Sequence, residues 1–119
     1  MARLSRIAPE LPAGNLAAAI AFYERLGFSL AGMTPPRDYA IVERDGIALH
    51  LFEDKPPRSA PMAVHIFTHD LHELFEEFTD RGVQITQKIE RKPWGNRDFR
   101  LKDDFGNELK FTEPGVEDE

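Results

Sequence analysis

The chain contains no cysteine. That excludes a disulfide framework, a thiolate metal centre and a cysteine nucleophile. Long apolar runs are also missing: none approaches the roughly 20 residues a membrane-spanning helix needs. The first residues, Met1-Ala2-Arg3-Leu4-Ser5-Arg6, lead into mixed sequence with no apolar signal core, so the expected compartment is the cytoplasm. Basic charge is in deficit, with 15 Lys and Arg against 21 Asp and Glu and a net charge of −6. Proteins that neutralise phosphate backbones carry the opposite balance, so neither a nucleic-acid nor a membrane partner is expected. No P-loop, dinucleotide fingerprint or other glycine-rich phosphate cradle occurs. Tryptophan occurs once, at Trp94.

What is present is a pattern that occurs twice. Leu16, Ala19, Ile20, Tyr23 and Leu26 recur at the three- and four-residue spacing of an amphipathic helix, with Asn15 as N-cap and Gly27 as terminator. Ahead of it, Ile7 to Leu11 reads as a short strand interrupted by proline, which suits a sheet edge, and Ala13-Gly14-Asn15 as a turn. Phe28-Ser29-Leu30 begins a strand, and Met33 to Asp38 reads as a loop. Tyr39 to Glu43 and Ile47 to Phe52 flank an Asp45-Gly46 turn, a strong hairpin signal.

After a proline-rich linker the order repeats. Met62 to Thr68 predicts a strand, and Asp70 an N-cap. Leu71, Leu74, Phe75 and Phe78 predict a helix closed by Gly82, Val83 to Ile89 a strand, and Glu90 to Asn96 a loop. A hairpin then runs from Phe99 to Phe111. Leu16, Ile20, Tyr23 and Gly27 fall on Leu71, Phe75, Phe78 and Gly82 at a shift of 55 residues. Tyr39, Ile41, Leu49 and Leu51 fall on Phe99, Leu101, Leu109 and Phe111 at a shift of 60. The expected fold is therefore α+β: tandem βαβββ modules, 4–53 and 62–113, joined by a linker over 54–61. Neither module buries both faces of its sheet alone, so modules must pair within one chain or between two.

The tandem βαβββ order, Phe22-Tyr23-Glu24-Arg25-Leu26-Gly27-Phe28 and Asp104-Phe105-Gly106-Asn107 together resemble the vicinal oxygen chelate superfamily. That group includes glyoxalase I, extradiol dioxygenases, fosfomycin-resistance transferases and bleomycin-resistance proteins. Pro93-Trp94-Gly95-Asn96-Arg97-Asp98-Phe99 is most similar to the corresponding segment of the bleomycin-resistance proteins. The resemblance implies curved mixed sheets around clefts and a homodimer, with modules or strands exchanged between subunits.

In the metal-using branches each module supplies one ligand from its first strand and one from its last. Counting back from Phe22-Tyr23 puts the first position at Ala8; its last-strand counterpart is His50, and the second-module positions are His65 and, by the internal repeat, Lys110. Alanine has no donor, and a protonated ammonium cannot bind a metal, so no metal and no cofactor are expected. His50 and His65 are the weak metal candidates, and Glu10 or His69 could complete a site off the pattern.

The remaining candidates line a ligand cavity. They are the aromatics Tyr39, Phe52, Phe67, Trp94 and Phe99, the polar residues His50, His65, Asn96, Arg97 and Lys110, and Gly95 beside the tryptophan. Asp38, Glu43, Asp98 and Asp103 add negative charge. Aromatic faces with nearby carboxylates suit a planar cation. The resemblance implies a bleomycin-type antibiotic held without catalysis. The alternatives are a metal-dependent glyoxalase- or dioxygenase-like enzyme and a binder of some other metabolite. Tyr39, Phe99 and Phe67 alternate with core positions and have a packing explanation as well. Trp94 lies outside any predicted strand and has none as core.

Overall fold

The structure, a computed structural model, describes residues 1–34 and 38–115. The loop expected over 33–38 falls partly outside them. The chain forms two compact units, Met1–Arg58 and Ser59–Glu119, each a four-stranded mixed sheet with one helix.

In the first unit the elements are β1 (Glu10–Ala13), α1 (Leu16–Arg25), β2 (Ser29–Thr34), β3 (Tyr39–Arg44) and β4 (Ile47–Glu53). The sheet order is β1-β4-β3-β2, with β1 parallel to β4 and the other neighbours antiparallel. α1 forms because Asn15 accepts the Ala18 N–H at 2.9 Å while Leu16, Ala19, Ile20 and Tyr23 bury one stripe. It stops at Gly27, whose φ of 86° is the left-handed conformation that glycine adopts without strain. A Cβ there would also sit 2.7 Å from the Arg44 guanidinium, which donates to the Leu26 carbonyl. The sheet answers α1 with Leu11, Ala13, Ala40, Val42, Leu49 and Leu51, all buried.

The first strand begins later than the sequence suggests. Ile7 is exposed, and β1 runs through Pro12 and Ala13 where a turn was expected. As the edge strand β1 pairs on one side only, and that tolerates a proline.

The second unit contains β5 (Ala63–Phe67), α2 (Leu71–Asp80), β6 (Gln87–Arg91), β7 (Arg97–Lys102) and β8 (Glu108–Glu113), in the order β5-β8-β7-β6. Its core is aromatic. Phe99 stacks on Phe111 with ring centres 5.2 Å apart, and Phe75 and Phe78 meet Phe99 edge-on at 5.3 and 5.9 Å. Asp70 occupies the N-cap position of α2 without a side-chain cap bond; its N–H donates to the Thr68 hydroxyl. The strand expected from Val83 begins only at Gln87, because Val83 turns inward beneath Phe78 as a buried residue.

One correction reassigns a whole strand. Ala40 and Val42 face Leu51 and Leu49, whereas Phe99 and Leu101 face Phe111 and Leu109. The true offset between β3 and β7 is thus 59, and only β4 and β8 keep 60. The second hairpin turn holds the extra residue. Asp45 and Gly46, both at positive φ, suffice to join Arg44 to Ile47. The second turn instead uses the Asp103 carboxylate, which accepts the N–H groups of Phe105, Gly106 and Asn107 at 2.9–3.0 Å. Asn107, fully buried, returns a side-chain bond to Asp103 and accepts the Met62 N–H at 2.8 Å.

Candidate functional site

The side of each sheet away from its helix carries the polar residues, and the strand registers order them into rows. In the first unit Glu10, His50 and Ile41 form one row, and Phe52 and Tyr39 stand opposite each other in the next. The Tyr39 hydroxyl donates to Glu10 Oε2 at 2.7 Å and lies 2.7 Å from His50 Nδ1. A hydroxyl has one hydrogen, so with that hydrogen on Glu10 the oxygen accepts from His50 Nδ1. The bond to Glu10, then burial, then the Glu10 charge raise the Tyr39 pKa above its ordinary 10.0 and keep the phenol neutral. Tyr39 is thus half-buried on the open side, while Phe99, its supposed equivalent, is core. The residue that matches Tyr39 in the second unit is Asp98.

This register also corrects the position assigned to Ala8. Ala8 precedes β1, and the β1 residue opposite His50 is Glu10. The parallel ladder of the second unit places His65 opposite Lys110 in the same way. Carrying the helix offset of 55 back from His65 also lands on Glu10, a signal present in the sequence and missed by counting from Phe22-Tyr23.

In the second unit the corresponding row is His65, Lys110, Arg100 and Gln87, one residue from each strand. The next row holds Phe67, Thr112, Asp98 and Glu90. Phe67, 59% exposed, stacks on His65 with centres 6.0 Å apart, and His65 Nδ1 lies 3.3 Å from the Thr112 hydroxyl. Asp98 is only 2% exposed. It accepts from Gln87 at 2.6 Å and from Arg100 at 3.1 and 3.4 Å, and Lys92 stands 3.9 Å away. Asp98 is therefore held by its own unit, and Asp103 is committed to its turn. Neither supplies the free negative charge expected of it. Glu10, Asp38 and Glu43, all exposed in the first unit, remain. Gln87 and Arg100 carry no signal of their own in the sequence, because only register brings them to the polar side.

Trp94 stands at the tip of the turn joining β6 to β7, 68% exposed. The Lys92 N–H bonds the Asn96 carbonyl, the Gly95 N–H bonds the Lys92 carbonyl, and Gly95 has φ 102°. Asn96 also accepts the Gly115 N–H at 2.8 Å. Gly95 and Asn96 thus shape the turn and hold the C-terminal segment against it. Arg97 pairs with Glu113 at 2.9 Å rather than with Asp98. Lys110 faces the Glu108 carboxylate at 3.9 Å.

A divalent ion does not suit these residues as placed. Glu10 and His50 share Tyr39, Lys110 offers an ammonium, and among the described residues no three His, Cys, Asp or Glu side chains cluster to hold an ion.

The family model described as glyoxalase/bleomycin resistance protein/dioxygenase superfamily matches residues 3–111. The chain belongs to that superfamily. No curated sequence matches it. Among solved structures, a bleomycin-binding protein complexed with bleomycin is 23% identical with TM-score 0.82, over 93% of this chain and 99% of that one. A bleomycin resistance determinant encoded on transposon Tn5 is 24% identical with TM-score 0.84, over 95% and 100%. Lactoylglutathione lyase from Agrobacterium tumefaciens is 20% identical with TM-score 0.75, over 92% and 94%. Identities this low establish the shared α+β fold of the superfamily; an antibiotic binder and a lyase both display it.

Proposed function

We propose that this protein sequesters a planar, cationic small molecule of the bleomycin type, without catalysis, in a cleft of a cytoplasmic homodimer. The observation that carries the reading is Trp94. A large indole held out from a rigid five-residue turn is an unusual expense of apolar surface, and exposed aromatics on loops mark binding surfaces. Tyr39, Phe52 and Phe67 add aromatic surface on the open sides of the sheets, and Glu10, Asp38 and Glu43 add negative charge. A superfamily member of nearly the same length binds bleomycin. Lys110 supports the non-catalytic character, since it occupies a position where the metal-using branches need a ligand.

Titration with metal-free and copper-loaded bleomycin, followed by Trp94 fluorescence, tests the reading. Saturable quenching at micromolar ligand is expected, and none at that concentration overturns it.

A second reading, a metal-dependent enzyme on a small substrate, is favoured by one observation: Glu10, a competent ligand, stands opposite His50 where alanine was expected. Elemental analysis after mild dialysis separates the two. One stoichiometric divalent ion per site would favour the enzyme.

A further inference from the structure

The row His65–Lys110–Arg100–Gln87 crosses all four strands of the second sheet, with each residue directly opposite the next. Its counterpart in the first unit reads Glu10–His50–Ile41–Gly32 and contains no permanent cation. Two like charges facing each other across an antiparallel pair destabilise it, yet Lys110 and Arg100 stand in that relation. The compensation inside the unit is partial. Asp98 takes two bonds from Arg100, which has five donors. Glu108 stays 3.9 Å from the Lys110 ammonium, beyond hydrogen-bond distance. Both cationic side chains are only 21% exposed, so salt screens them less than it would a surface lysine.

We propose that this row is a subsite for an oxyanion, a carboxylate or phosphate group carried by the small-molecule ligand. Lys110 and Arg100 clasp it, with His65 and Gln87 flanking them at the two ends of the row. The oxyanion relieves the repulsion the sheet otherwise carries, and charge-assisted bonds to it are the strong kind. Phe67, stacked on His65 two residues along β5, supplies a flat surface beside the clasp for a ring attached to the anion. The inference deepens the proposed function. It rests on that reading for one point, that the open side of the sheet faces the ligand, and it makes the ligand carry an anionic group as well as a cationic one.

The test is an NMR titration of the whole protein with inorganic phosphate, and separately with acetate, at constant ionic strength in chloride. Saturable shifts centred on residues 65, 87, 100 and 110 are expected. Saturation by both anions points to a carboxylate as sufficient, and saturation by phosphate alone to a phosphate-type group. Lys110→Gln should weaken binding about tenfold, the scale of one charge-assisted hydrogen bond. Lys110→Arg should retain binding, and Lys88→Gln, on an exposed part of β6, should leave it unchanged. Shifts that never saturate, or equal affinity in Lys110→Gln with unchanged circular dichroism, overturn the proposal. If phosphate saturates the row and bleomycin fails to quench Trp94, the antibiotic reading falls and the anion subsite stands; the reverse result sinks the subsite alone.

Discussion

Glu10 lies opposite His50 in the parallel β1–β4 ladder, and the Tyr39 hydroxyl from β3 joins the two, 2.7 Å from each. Three strands thereby meet in one polar cluster on the open side of the first sheet. Its strength rests on the phenol staying protonated.

Tyr39→Phe should therefore cost about 0.5–1.5 kcal/mol near neutral pH, the usual net value of a hydrogen bond. The pH dependence has a definite sign. Tyr39 ionises above its ordinary 10.0 in the folded protein, so its stabilisation is complete below that value and is lost as pH rises through the raised one. Urea unfolding of both proteins across alkaline pH should show the gap closing above pH 10.0. A gap that widened there would contradict this assignment.

Asp98 should respond far more strongly. Asp98→Ala leaves Arg100 and Lys92 without their buried carboxylate, and loss of one partner of a buried pair costs about 3–5 kcal/mol. Asp98→Asn keeps an acceptor for Gln87 and should cost less. Because the carboxylate is buried, added salt should hardly change the ranking. Denaturant midpoints at low and high salt check both statements.

Phe99 and Trp94 should separate stability from binding. Phe99→Ala removes the ring at the centre of the aromatic cluster and should destabilise by about 3–5 kcal/mol. Trp94→Ala changes an exposed side chain, so its stability should stay within about 0.5 kcal/mol of the parent. Its affinity for bleomycin should fall by roughly 1–3 kcal/mol if the indole stacks on the ligand. Calorimetric titration, which needs no fluorophore, makes that comparison.

Asn107→Ala should cost about 1–3 kcal/mol, because the Asn107 side chain is fully buried and both the Met62 N–H and an Asp103 oxygen lose it as a partner. Hydrogen exchange at the start of β5 should accelerate along with exchange in the turn.

The fold was readable because its signals are local and occur twice. Helical stripes ending in Gly27 and Gly82, and alternation around Leu49 and Leu109, survive small errors of boundary. The rows of the candidate site do not. A strand slipped by one residue sends each side chain to the opposite face, and one extra residue in the 103–107 turn put Tyr39 on the wrong partner. Counting back from Phe22-Tyr23 placed Ala8 opposite His50, whereas the parallel ladder places Glu10 there. Arg100 and Gln87 carried no mark of their own, since a charged residue in a strand looks like ordinary solvated surface until its neighbours are known. Trp94 was conspicuous because it had no periodic pattern to belong to.

The clasp between Asp103 and Asn107 also bears on the order of folding. The β7–β8 hairpin is local, and hairpins close in about 1–10 μs. β5 must be recruited from far upstream: Met62 is 45 residues from Asn107, and pairings at such separation form late. Since the Asn107 side-chain amide oxygen that receives the Met62 N–H is positioned by the Asp103 turn, the late strand docks onto a receptor built by the early one. Damage to that turn should consequently slow refolding rather than merely hasten unfolding.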